Sequence, residues 1–547
     1  MKKNKNSLLL IVLFICIILT LIGWYMFLPV LSLSYLGTVI FLFILTIPLS
    51  IALGYLSKKS IAYLILPSIV LVLFLFNIVT STGIVNSSKK RTMIGEIQEK
   101  DFSTEISPID LTQIPVVDQS LAQNLGDKKL GEQVALGSQV TLGEFTQQNV
   151  NGKLYWVAPL MHSGFFKWNG NKAGTPGYIM ISATNQQDIE LVQEVDGKKI
   201  KIKYQPNAFL GDDLARHVYM SGYKNIGLTD FSFELNDEMK PFWVITKYQN
   251  TFGFTGSKAQ GVIIVDAETG AIEDYDLESI PDWVDRVIPA NFVMKQLDYW
   301  GKYVHGWWNP SKKDEVQTTD GYNIVYNDGK CFYYTGMTSA GADEATIGFM
   351  LVDTKTKETN LYKVSGSHEI AAMESAEGQV QNLEYSATFP ILINVDGEAT
   401  YFMTLKDKKG LVKLYAMVNV KDYSLVGVGE SLSKTKSNYI KKLKNHGDWQ
   451  GLQNSSEETR ESGTIKRIGS SIIDDTTYYY IVTNENPNKI FIAPLNMSNE
   501  LPLTVESDNV EFTYYINENS SIDLSSFDNL ELSQTKSQAE NEMTNNN

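Results

Sequence analysis

The chain has 547 residues, a formal net charge of −15 and two cysteines. That charge, without any long basic stripe, excludes strong nucleic-acid binding, because neutralising phosphates takes clustered Lys and Arg. Cys16 falls in an apolar run and Cys331 stands alone in the remainder, so no intrachain disulfide is expected, and a chain of this size does not need one.

No charged residue occurs between Lys5 and Lys58, nor between Lys59 and Lys89. A helix crossing a bilayer needs about 20 apolar residues, and three such stretches are predicted: Leu8–Phe27, Tyr35–Tyr55 and Ile61–Val79. They form an expected membrane anchor over 1–85, and the first is too long for a cleavable signal peptide. Lys2, Lys3, Lys5, Lys58 and Lys59 on one side, against Lys89, Lys90 and Arg91 on the other, favour a cytoplasmic N-terminus. Three crossings then leave the large C-terminal portion extracytoplasmic, at the cell membrane.

A linker is expected over 86–112. Beyond it an aromatic strand recurs four times, at Lys153-Leu-Tyr-Trp-Val157, Lys240-Pro-Phe-Trp-Val244, Lys330-Cys-Phe-Tyr-Tyr334 and Glu398-Ala-Thr-Tyr-Phe402. Each is followed by a second apolar strand: Gly177–Ser182, Gly261–Asp266, Gly348–Asp353 and Leu414–Asn419. Their β-branched and aromatic content reads as strand. Helical stretches at Gln119–Gln133, Leu214–Tyr223, Phe292–Tyr303 and Ser367–Gly378 precede them. One repeat is therefore a helix and an antiparallel meander, the helix covering one sheet face. This predicts an α+β fold class: three transmembrane helices, tandem modules at 113–207, 208–290, 291–365 and 366–446, and a small β-barrel-like domain at 461–516. Polar residues dominate 517–547, which reads as a disordered tail.

The run Gly261-Val-Ile-Ile-Val-Asp-Ala-Glu-Thr-Gly270 resembles the closing strand and turn of PepSY domains. The helix–strand–strand–strand order is similar to the cystatin-like modules of cell-wall elongation regulators in Gram-positive bacteria. The close match is confined to 208–276; Lys357 follows Asp353 where the pattern has Gly, and Ser182 replaces Asp in the first copy. The resemblance implies a non-enzymatic extracytoplasmic module that inhibits or steers envelope enzymes, and it supplies no catalytic residue.

Chemistry-bearing motifs are sparse. His368-Glu369 opens like a zinc-protease helix, but Ala372 takes the second ligand position. Ser431-x-x-Lys434 and Ser433-x-x-Lys436 lack the companion elements of penicillin-binding enzymes. Cys331 reads as a buried thiol with no base beside it. No metal or cofactor is expected. Asp282 and Asp285 flank Trp283; they read as solvated acids beside a helix face formed by Trp283 and Val287, with an acid–base pair as the alternative. The cluster Trp300, Tyr303, His305, Trp307 and Trp308 is the candidate partner-binding surface, since aromatic rings give large contact area at low entropy cost.

These features predict a membrane-anchored, non-catalytic binding and regulatory protein of the bacterial cell envelope. Its expected partners are membrane lipid and another envelope protein or wall polymer, in an oligomeric state the sequence leaves open. Two alternatives stand beside it: a cell-wall polymer hydrolase or transferase with acids among Asp282, Asp285 and their neighbours, and a structural membrane subunit of a secretion or conjugation assembly.

Overall fold

The computed structural model of the chain describes residues 2–57, 60–102, 114–327, 330–341, 346–364, 366–446, 458–473, 476–515 and 521–532. It divides into two compact units, one of Met1–Asn394 with Ala399–Val428, the other of Val395–Glu398 with Gly429–Asn547. Lys58 and Lys59, which weigh in the orientation argument, lie outside the described residues.

The first unit opens with helices α1 (Lys2–Phe27), α2 (Leu36–Ser57), α3 (Ile65–Ser81) and α4 (Gly83–Arg91). The expectation of three spanning helices is corrected here. Among the described residues one unbroken helix, Leu36–Tyr55, is long and apolar enough to cross a bilayer, and the described apolar part of α1, Phe14–Phe27, is shorter. The third stretch is bent by 47° between α3 and α4. The bend has a local cause. Thr80, Ser81 and Thr82 turn their hydroxyls back onto carbonyls three or four residues earlier, which competes with the helical ladder, and Thr82 itself is extended.

These helices are fastened to the rest of the unit. Trp24 donates to the Tyr219 hydroxyl at 3.0 Å, which in turn donates to the Pro29 carbonyl at 2.7 Å. Tyr35 donates to the Tyr248 carbonyl at 2.6 Å and accepts from the Gly227 amide at 2.9 Å. Replacing Tyr35 with Phe strands both backbone groups in a buried place, so Tyr35→Phe is expected to lower stability by about 1–3 kcal/mol, read as a lower unfolding midpoint in detergent.

The expected linker is not a free connection. Its residues Ile97–Lys100 form β1, the parallel edge partner of a strand at Thr359–Tyr362, and Phe102 enters the core beyond it.

Four sheets follow. The first comprises β2 (Val140–Leu142), β3 (Thr146–Val150), β4 (Lys153–His162), β5 (Tyr178–Ser182) and β6 (Ile189–Val192), with α5 (Gln119–Gly131) before it. A two-stranded ribbon, β7 (Glu194–Val195) and β8 (Lys198–Lys199), leads to α6 (Leu214–Met220). The second sheet is a meander of β9 (Gly227–Leu235), β10 (Pro241–Phe252), β11 (Thr255–Asp266) and β12 (Ile272–Asp276). After α7 (Ala290–Lys302), the third sheet joins β1 to β13 (Val316–Thr318), β14 (Asn323–Asn327), β15 (Lys330–Ser339), β16 (Thr346–Asp353) and β17 (Thr359–Tyr362). After α8 (Glu369–Gln379) comes the fourth: β18 (Ser386–Ala387), β19 (Ile391–Val395), β20 (Glu398–Lys406), β21 (Val412–Asn419) and β22 (Val426–Gly429).

The sheets are not independent tandem modules, which is the second correction to the expected fold class. Side chains alternate across a strand, and in the two middle sheets both sets are apolar. Trp243 and Ile245 of β10 pack toward the first sheet, while Val244 packs toward the third. On β15, Tyr333 joins the core shared with the second sheet and Tyr334 the core shared with the fourth. One helix cannot cover both faces, so neighbouring sheets do. Helices α6, α7 and α8 contribute only a strip each to these shared cores, through Leu214 and Val218, Val293 and Leu297, and Ala372 and Ala376.

The inner strands also meet. Gln148 of β3 bridges to β9, donating to the Phe233 carbonyl and accepting from the Leu235 amide. Asn149 donates to the Tyr326 hydroxyl on β14, and Asn323 of β14 donates to the Phe389 and Pro390 carbonyls just before β19. The sheets are thus set like blades about a polar hub.

The second unit contains α9 (Leu432–His446) and a closed barrel of β23 (Glu458–Ile473), β24 (Thr476–Thr483), β25 (Ile490–Pro494), β26 (Asn509–Tyr515) and β27 (Ser521–Asn529). Its core gathers Ile465, Ile481, Phe491, Phe512 and Phe527. Ser521–Asn529 was expected in the tail; Ile522, Leu524 and, past a shift of register, Phe527 face inward and close the barrel against β25 and β26. The rest of that tail, 533–547, lies outside the described residues.

Candidate functional site at the hub

The segment Pro281–Pro289 was expected to be a helix with solvated acids. It is instead an irregular crossing between the second and third sheets, wedged in by Val284, Val287 and Ile288. Trp283 packs against Phe242, the rings tilted by 37° with centroids 5.3 Å apart. The two acids part company. Asp282 stays in solvent, while Asp285 turns inward and accepts a hydrogen bond from the Asn149 amide.

There it meets a carboxylate the sequence reading missed. Glu234, at the end of β9, is fully buried. Its Oε1 accepts from Ser232 at 2.7 Å and its Oε2 from the Asp285 amide at 3.1 Å. Burial, reinforced by the nearby Asp285 charge, pushes the Glu234 carboxyl up to about 8. Burial pushes Asp285 up to about 6, opposed by the Asn149 amide and by Lys355. Both carboxyls are thus held above the ordinary range, and the more deeply buried Glu234 is the one that keeps its proton longer. Two carboxyls whose environments separate their proton affinities can act as an acid and a base.

Arg286 faces the same cluster and pairs with Asp230 at 3.3 Å. Its Nε and the Asn149 Oδ1 are buried without a hydrogen-bond partner, which marks polar capacity left for a ligand or water. Cys331 is buried on β15, and desolvation together with Asp285 and Glu234 holds its thiol far above the ordinary range, so it is inert as a nucleophile.

A cavity of about 440 Å3 opens beside Arg286. Its walls include the rings of Trp156, Tyr322, Phe389 and Phe402, with Gln147 and Glu144 among the polar groups. Trp156 is held in place by donating to the Val117 carbonyl at 2.7 Å. Aromatic walls with a few convergent polar groups are the usual make-up of a small-molecule site. Among the described residues no group of three or more His, Cys, Asp or Glu is arranged to hold a metal ion.

The expected partner-binding cluster is divided by the fold. Trp300 packs against the core between the second and third sheets, and Arg91 lies over its ring at 5.9 Å. Tyr303 closes α7 and presses on Gly83, where an added Cβ would lie 2.3 Å from its hydroxyl. His305 meets Asp314 at 2.8 Å. His305 is itself exposed, and beyond it Trp307 and Trp308 stand out, 50% and 70% exposed and edge-on at 5.1 Å. Helical spacing sets Trp300 and Tyr303 on a packed face, and the left-handed turn at Gly306 releases the pair beyond it. His368 is likewise occupied, its Nδ1 capping α8 by accepting from the Ala371 amide.

The hub corrects the expectation of a non-catalytic binding and regulatory protein, since it buries two carboxyls side by side, Glu234 from the second sheet and Asp285 from the crossing that follows it. No protein-family model matches the chain, and no curated protein matches it. Among solved structures there are matches at low identity. A Bombyx mori GH32 beta-fructofuranosidase aligns at 10% identity over 74% of this chain and 70% of that one, with a TM-score of 0.16. Bacillus subtilis levansucrase aligns at 9% identity over 77% of this chain and 98% of that one, also with a TM-score of 0.16.

Proposed function

We propose that the hub is the acid–base centre of an enzyme that hydrolyses or transfers units of a cell-wall glycan polymer. In this reading the apolar N-terminal helices hold the chain at the cell membrane, with the sheets and barrel outside. The observation that carries it is the Glu234–Asp285 pair set behind Arg286, whose own side chain lines an aromatic-sided cavity. Asp285, which does not itself line the cavity, is assigned as the base and acts through a water beside Arg286. Glu234, fully enclosed, keeps its proton throughout and is a positioning residue; the proton that Asp285 takes from the attacking water or hydroxyl passes on to the leaving oxygen. The faces of Trp156 and Tyr322 offer flat apolar surface to sugar rings.

The test is release of reducing ends from purified wall polysaccharide by full-length protein in detergent. The rate is expected to rise as Asp285 ionises near pH 6 and fall as Glu234 loses its proton near pH 8. Asp285→Asn should lower kcat by about 100-fold or more with little change in KM, because the amide still accepts from Asn149. Folded wild-type protein that releases nothing from any wall fraction sinks the proposal.

A further inference from the structure

A second cavity, of about 830 Å3, lies where α3 and α4 meet the hairpin between β10 and β11. We propose that it binds the phosphate group of an anionic amphiphile, whose apolar tail runs along α3. The site stands apart from the hub and owes nothing to its chemistry.

Three cations line it, Lys89, Lys258 and Lys357, and no carboxylate does. Among the described residues none of the three forms an ion pair. Lys357 Nζ donates to the Met93 carbonyl at 2.6 Å and to Gln296 at 3.2 Å, both neutral acceptors. Burial, and Lys258 beside it, hold the Lys357 amine below its ordinary range. A half-buried cation with only neutral partners gains strongly from an anion.

The backbone points the same way. Lys357 sits at φ 65°, and the equivalent turn position in the second sheet is Gly270, at φ 76°. Left-handed backbone costs a residue with a Cβ about 1–2 kcal/mol. At the one place where the third repeat departs from Gly, the residue it carries sends its amine into this cavity.

The apolar side of the cavity is formed by Phe76, Val85 and Phe252. It continues onto the outward side chains of α3, where Leu71, Val72, Leu75 and Phe76 are all exposed. A cationic recess opening onto an apolar helix face suits a phosphate joined to a hydrocarbon chain, more than a free ion.

The experiment uses full-length protein in nanodiscs of phosphatidylcholine with or without phosphatidylglycerol, released into native mass spectrometry. Inorganic phosphate is the second arm. Retention of phosphatidylglycerol at least about tenfold over phosphatidylcholine is expected, falling to parity in Lys357→Met. Because that variant removes two internal hydrogen bonds, the exposed pair Lys89→Gln with Lys258→Gln is measured alongside and should lose about threefold or more without loss of fold. Displacement of the lipid by millimolar inorganic phosphate would keep the lysine site and assign it to free phosphate. Equal retention of both lipids with no phosphate binding, or retention unaffected by either set of variants, overturns the proposal.

Discussion

Glu234→Gln is expected to abolish most of the loss of stability that rising pH brings between pH 6 and 8. The Glu234 carboxyl rises from an ordinary value of 4.5 to about 8 in the fold. Its protonated form is therefore the one the folded state prefers. Stability from this group is complete below the unfolded value and is lost as pH rises through the folded one. Between pH 5 and 7.5 the wild type should lose about 3 kcal/mol on this account. Asp285, raised from 3.8 to about 6, adds a loss of the same sign at lower pH. Gln cannot ionise, so the variant should lack the slope between pH 6 and 8. It also gives up one of two hydrogen bonds, since only one amide oxygen remains to accept from Ser232 or the Asp285 amide. At pH 5 the variant should thus be less stable than wild type by about 1 kcal/mol, and at pH 8 more stable. Denaturant midpoints measured across that range check this; parallel curves for the two proteins would remove Glu234 as the protonated member of the pair.

Gly261→Ala is expected to be the most damaging small substitution in the sheets. Gly261 adopts φ 148°, and an added Cβ would lie 2.0 Å from the Tyr275 carbonyl oxygen. That oxygen belongs to the paired strand and cannot retreat without breaking the ladder. The register also shifts here, between Lys247 and Tyr248 on β10, so the glycine permits a bulge that bends the strand. Gly177 and Gly348 repeat the arrangement, with an added Cβ 1.9 Å from the Val192 carbonyl and 2.2 Å from the Tyr362 carbonyl. Each substitution should cost about 3 kcal/mol or more, or abolish folding, through backbone strain and lost pairing. Gly211, with nothing within 4 Å of an added Cβ, is the control and should change by less than about 0.5 kcal/mol as Ala. Equal effects at Gly261 and Gly211 in chemical denaturation would contradict the account.

Much of the local structure was legible in the chain. Alternating aromatic and β-branched residues at Lys153–Val157 and its three counterparts mark strands because a pleated, half-buried surface selects them. The recurring Gly177, Gly261 and Gly348 open the second apolar run of three of the repeats for the reason just given. The apolar N-terminal runs were equally plain, but the bend at Thr82 depends on hydroxyl bonding that hydropathy does not register. The aromatic cluster from Trp300 to Trp308 looked continuous as a string, yet two of its rings pack inward and two do not.

By itself the sequence determined the period of each strand, the fourfold recurrence of the meander and the uncharged helices, all of which arise from neighbours in the chain. The hub was decided by tertiary structure alone. Glu234 and Asp285 are 51 residues apart, and each sits in a context that reads as ordinary polar strand or loop. Their unlike proton affinities come from exclusion of water as sheets close around them, and desolvation is a property of the packed interior, which no local run of residues carries.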